Sequence, residues 1–82
     1  MKITVLFFAG VRDLVGNERE EIELPSHVRC IADVRGLLEA RHAALKGALD
    51  AVRLAKNEEF VDADAPAAEG DVVALIPPVS GG

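Results

Sequence analysis

Between positions 2 and 9 the chain reads KITVLFFA, and both parities of that run are apolar: Ile3, Val5 and Phe7 on one side, Leu6 and Phe8 with Thr4 on the other. A run apolar on both faces predicts an interior β-strand. Residues 10–17 (GVRDLVGN) carry turn chemistry at both ends, and 20–24 (EEIEL) then alternate, with Ile22 and Leu24 inward and Glu21 and Glu23 outward. Together these predict a hairpin with a long connection. Pro25 cannot donate to a ladder and closes the second strand. Ile31, Val34, Leu37 and Leu38 follow at helical spacing and predict a helix of about three turns lying on the sheet. Gly36 sits inside that helix at a cost of about 1 kcal/mol relative to Ala. Leu45 and Leu49 continue the spacing, but Gly47 interrupts it. Residues 51–57 (AVRLAKN) read as a third strand, Phe60 and Val61 as a very short one, and 72–76 (VVALI) as the last, after the Gly70-Asp71 turn.

Two strands, a helix, then further strands running to the C-terminal region predict an α+β fold: one mixed sheet with one main helix packed across it. That is the β-grasp order. With 82 residues the chain makes one domain, since dividing it leaves neither half with a core. The expected division is a β-grasp domain over residues 1–76 and an extended tail over 77–82.

Composition narrows the function. Half the residues are hydrophobic and 28% are charged, a balance that fits a globular fold. The net charge is −5, with no run of Lys or Arg to track phosphates, so nucleic acid is not an expected partner. The opening MKITVLFF is too short and too alternating for a targeting segment, and no stretch of about twenty apolar residues predicts a membrane span. Cys30 stands alone, so it can form neither an internal disulfide nor a thiolate cluster, and the expected compartment is the reducing cytoplasm. His27, Cys30 and His42 lack the spacing of a zinc site, so no metal is expected and both histidines read as surface residues.

The C-terminal segment carries the chemistry. Pro77 and Pro78 remove two ladder donors directly after an apolar strand and fix φ near −65°, so the chain must leave the sheet extended. At about 3.1 to 3.5 Å per residue, Pro77, Pro78, Val79, Ser80, Gly81 and Gly82 reach about 20 Å, enough to enter a deep pocket on another protein. Glycine at the last two positions lets the backbone pass a narrow channel and leaves the final carbonyl carbon open to attack. A free α-carboxylate is ionised at neutral pH and a poor electrophile, so Gly82 needs activation, for which an acyl-adenylate made from ATP is the obvious route.

Three stretches, LFFAGVRDLVG at 6–16, IADVRGLLEAR at 31–41 and GDVVALIPPVSGG at 70–82, resemble the MoaD-type small subunits of molybdopterin synthase, a ubiquitin-like sulfur-carrier family. The resemblance covers essentially the whole chain, and its last stretch is the most specific. It implies that an E1-like adenylating enzyme of the MoeB type uses ATP to adenylate Gly82, and that the acyl-adenylate becomes a thiocarboxylate. The tail then enters the large synthase subunit, of the MoaE type, where sulfur passes to cyclic pyranopterin monophosphate to form molybdopterin. It further implies a heterotetramer of two small and two large subunits, catalytic side chains on the large subunit, no cofactor bound by the small one, and therefore a carrier that is not an enzyme by itself. The sulfur carriers of the thiamine pathway and ubiquitin-like protein modifiers also end Gly-Gly and are the alternatives.

Parity leaves Phe8 on the outer face of the sheet, where Phe60 and Ile76 can join it in an apolar patch. The resemblance implies that these positions contact the large subunit. Other residues read as structural. Cys30 occupies the expected helix N-cap, where sulfur is a weak acceptor. Lys56 shares the parity of Leu54, which lays its stem along the core edge with the ammonium in water. Asp62, Asp64, Glu69 and Asp71 read as a solvated acidic rim.

Overall fold

The computed structural model describes residues 1–78. Strand β1 (Lys2–Phe7) is flanked on one side by β2 (Arg19–Glu23), antiparallel with Ile3 opposite Ile22, and on the other by β5 (Val72–Ile76), parallel with Val5 opposite Val73. β1 is thus an interior strand, with Ile3, Val5 and Phe7 buried in the core and Leu6 on the opposite face. Strand β3 (Arg53–Lys56) runs antiparallel to β5 with Leu54 opposite Leu75, and β4 (Glu59–Phe60) closes the far edge. The sheet order is β2-β1-β5-β3-β4, which is the mixed β-grasp arrangement expected from the order of elements.

Helix α2 (Ile31–Arg41) covers one face of this sheet. Its Ile31, Val34 and Leu38 are buried together with Ile3, Val5 and Phe7 of β1 and Val73 and Leu75 of β5. Each such side chain, fully removed from water, contributes about 1.5 to 3 kcal/mol, so the helix and the two inner strands form one cooperative block. Cys30 is the N-cap as expected, and Asp33 supplies the stronger acceptor by reaching back to the Arg29 and Cys30 amides at 3.0 and 3.3 Å. Those backbone N–H groups hold the Asp33 carboxyl below its ordinary pKa.

Several sequence expectations are corrected. The connection between β1 and β2 is helix α1 (Ala9–Val15), ended by Gly16 at φ 85° with its N–H on the Arg12 carbonyl. Gly16 acts there as a left-handed helix stop, not as a hairpin turn residue. Beyond α2, Ala43–Leu45 forms a 3₁₀ turn and Gly47 takes φ 78°, yet Leu45 and Leu49 both reach the core. The Lys56 ammonium, in an exposed setting, also donates to the Pro66 carbonyl at 2.8 Å, tying the 61–70 loop to β3.

Asp71 also departs from the acidic rim, being only 7% exposed. Its carboxylate accepts the Ala68 amide at 2.7 Å and the Asn57 side-chain amide at 3.0 Å, and Asn57 Oδ1 accepts the Val72 amide at 2.9 Å. Asn57 and Glu58 form the two-residue β3–β4 turn with φ of 51° and 73°, a conformation Asn tolerates well. The node therefore fixes the start of β5 against that turn. Asp71→Ala is expected to cost about 2 kcal/mol, because it removes an ionised acceptor that takes two hydrogen bonds, from the Ala68 and Asn57 amides. Urea unfolding measures this, and a loss below about 0.5 kcal/mol would show that water replaces the carboxylate without penalty.

Candidate functional site

The sheet face turned away from α2 carries the candidate site. Strand alternation sends Leu6 outward from β1 and Val72, Ala74 and Ile76 outward from β5. The register then lines up Leu6, Ala74, Ala55 and Phe60 across four strands. Two alanines in the middle of that row leave a shallow floor, with aromatic rings standing at the sides. The result is a groove of about 210 Å³ lined by Phe8, Phe60 and Ile76 together with Leu6, Ala55, Glu58, Val72 and Ala74. Phe8 is 45% exposed and Phe60 52%, unusual for large apolar side chains on so small a domain.

Phe8 lies one residue past the end of β1, where the sequence had extended the strand. It is the N-cap of α1, still extended at φ −116° and ψ 148°, and Ala9 turns the chain at φ 46°. The strand parity thus carries through to Phe8 before the helix begins. The sequence named the three outer residues of the groove. It missed Ala55 and Ala74, because an alanine signals neither a face nor a contact, whereas the parity of Leu6 was available.

Strand β5 ends at Ile76, on the groove wall, and Pro77 and Pro78 follow directly. The tail therefore departs from the edge of the apolar face. The tail residues Val79, Ser80 and Gly81 and the candidate reactive residue Gly82 lie outside the described residues.

A second hollow, of about 570 Å³, lies between α2 and the start of β3. Its charges are mixed, Arg35 being paired with Asp50 at 2.7 Å, and no set of groups converges in it. A polar cluster sits at the C-terminal end of α2. Glu20, on the inward parity of β2 opposite Val5, accepts from Arg41 Nε at 3.0 Å and lies 3.0 Å from His42 Nε2. Burial pushes the Glu20 carboxyl up, but the hydrogen bonds from His42 and Arg41 outweigh it and leave the group below its usual pKa. The His42 ring also stands edge-on to Phe7, with centroids 5.9 Å apart. His42 is thus half-buried and bonded, not the surface histidine the sequence suggested, whereas His27 is exposed. Among the described residues no group of three or more His, Cys, Asp or Glu is placed to hold a metal, and no helix is long and apolar enough to cross a membrane.

Comparison with known proteins gives a consistent picture. The ThiS family profile matches residues 5–82. The chain is 38% identical over 84 residues to the molybdopterin synthase sulfur carrier subunit of Escherichia coli (strain K12), covering 98% of this chain and 99% of that one. Among solved structures it is similar to the complex of subunits 1 and 2 of the molybdopterin-converting factor from Helicobacter pylori 26695, with a TM-score of 0.74, 29% identity and full coverage of both chains. SAMP1 from Haloferax volcanii shares the fold at a TM-score of 0.88 and 24% identity, also over the full length of both chains.

Proposed function

Because this chain belongs to the ThiS family, with molybdopterin synthase sulfur carrier subunits among its relatives, we propose that it is the sulfur carrier subunit of a molybdopterin synthase. The observation that carries this reading is the continuity of groove and tail. Ile76 is both a wall of the exposed apolar face and the last residue of β5, so a protein seated on that face also receives whatever follows Pro78.

The division of labour follows from the chemistry. Docking on Phe8, Phe60 and Ile76 holds the large subunit, and Pro77 to Gly81 serve as a slim spacer into its pocket. Gly82 carries the reacting group. Its carboxylate attacks the α-phosphate of ATP on an E1-like activating enzyme and releases pyrophosphate; a sulfur nucleophile then displaces AMP from the carbonyl carbon. The thiocarboxylate is a better sulfur donor than the carboxylate is an oxygen donor, because carbon–sulfur bonds are weaker and sulfur is the better nucleophile. In the large subunit the thiocarboxylate sulfur bonds to a carbon of cyclic pyranopterin monophosphate, and water then cleaves the acyl–sulfur bond, which leaves the sulfur on the pterin and restores the Gly82 carboxylate. The chain acts as a carrier without catalytic side chains of its own and works in the cytoplasm, in a heterotetramer of two small and two large subunits.

Intact mass spectrometry tests the reading. After incubation with ATP, the activating enzyme and a sulfur source, the chain is expected to gain the mass difference of one oxygen exchanged for one sulfur. Adding the large subunit and the pterin substrate should reverse the gain. A ladder of conjugates to lysines of other proteins in the native host, with no sulfur exchange, would instead identify a protein modifier.

A further inference from the structure

Glu58 lines one end of the groove, and Arg53, which also borders the hollow beside α2, stands next to the other end, so charges of opposite sign flank the apolar face. Arg53 stands at the Ile76 end, opposite Ile76 in the strand register, with its guanidinium carbon 3.7 Å from the centroid of the Phe60 ring. Glu58 lines the other end, in the turn where the Asn57 amide donates to the Val72 carbonyl at 2.8 Å. The ion pairs of the described residues involve neither of them. A guanidinium stacked on an aromatic face keeps its donors free in its own plane, and stacking fixes the side chain in advance. Arg53 is therefore a preformed carboxylate receptor beside the root of the tail.

Apolar contact alone is non-directional, so the groove by itself does not tell a partner which end leads to the tail. Charges of opposite sign at the two ends do. We infer that Arg53 and Glu58 make the docking face polar along β5, fitting a partner surface whose apolar ridge carries a carboxylate at the tail end and a basic group at the Val72 end. This rests on the reading of the groove as the seat of the large synthase subunit, and it makes Arg53 the residue that sets the orientation of docking. A misoriented complex would place Arg53 against a cation and Glu58 against a carboxylate, which is penalised twice.

The test uses the full chain and the large synthase subunit of the same organism, with binding kinetics followed at low and at high salt. Arg53→Glu is expected to weaken the complex at least about tenfold at low salt, mainly through slower association, with the deficit shrinking as salt rises. Arg53→Gln should lose about threefold, and Glu58→Lys should lose in the same way as Arg53→Glu. Lys46→Glu makes the same change in net charge at an exposed position in the helical layer and should leave binding within about twofold. Thermal unfolding of each variant checks that the fold is intact. Wild-type binding by Arg53→Glu and Glu58→Lys, alongside lost binding by Phe8→Asp, overturns the orientation inference and leaves the docking reading standing. Equal losses from Arg53→Glu and Lys46→Glu assign the effect to net charge and overturn it too. Undiminished binding by Phe8→Asp removes the docking reading, and the inference with it.

Discussion

Deleting Gly82 is expected to abolish molybdopterin formation while leaving thermal unfolding of the domain unchanged. The two outcomes separate because the core ends at Leu75 and β5 at Ile76, and stability is set by the sheet and α2. Shortening the tail by one residue moves the terminal carboxylate back by about 3.5 Å. A misplacement of about 1 Å at a reacting centre already costs about a hundredfold in rate, so a full residue removes the turnover. Docking should survive, because the groove is untouched, and the truncated chain should compete with the wild type for the large subunit. Reconstitution with purified activating enzyme and large subunit, read as molybdopterin formed, measures the loss. Turnover above about one per cent of wild type would show that the reacting carbonyl is not that of Gly82.

The parts of this molecule that were legible in the sequence are those governed by local periodicity. β5 falls at 72–76 because a continuous apolar run follows the Gly70-Asp71 turn, and the helix begins at Ile31 because helical spacing is strong there. The two apolar parities of β1 also foretold a strand with neighbours on both sides. Elements decided by distant contacts were not legible. α1 has only seven residues and buries Val11 alone, so its periodicity is too weak to compete with the glycines around it. Asp71 reads as a turn residue until the β3–β4 turn brings Asn57 to it from fourteen positions away. His42 is placed by the end of α2 against Glu20, twenty-two positions earlier, a meeting that no local pattern encodes.

The candidate site divides along the same line. Parity delivered Phe8, and the proline pair delivered the point of departure of the tail. The groove itself needed the register of four strands, since its floor is made of Ala55 and Ala74, with Glu58 lining one end and Arg53 standing beside the other. Phe60 was named from the sequence, but the cation lying on its ring depends on β3 and β4 pairing across a two-residue turn.

Phe8→Asp is expected to separate binding from stability. In the proposed docking of the large subunit, the Phe8 ring would serve as an aromatic anchor at the edge of the groove, and its replacement by a carboxylate would place an unpaired charge on the face that docking dries. Loss of the anchor and the cost of that charge together should weaken binding to the large subunit at least about a hundredfold, equivalent to about 2.7 kcal/mol. In the free domain the same position is the N-cap of α1, and the Phe8 side chain makes no capping hydrogen bond there. Asp is among the preferred N-cap residues and contributes about 1 kcal/mol by accepting an otherwise unpaired amide of the first turn. Because Phe8 is 45% exposed, about half of its apolar burial is lost, which costs about 1 kcal/mol and offsets that gain. The variant should thus melt near the wild-type temperature while failing to form the complex, and Phe8→Leu should retain most of the binding. Calorimetry of both variants, with and without the large subunit, reads the two effects in one experiment. A variant that binds normally would remove the groove as the docking face. One that unfolds would show that Phe8 holds the domain together and has no need of a partner to explain its place.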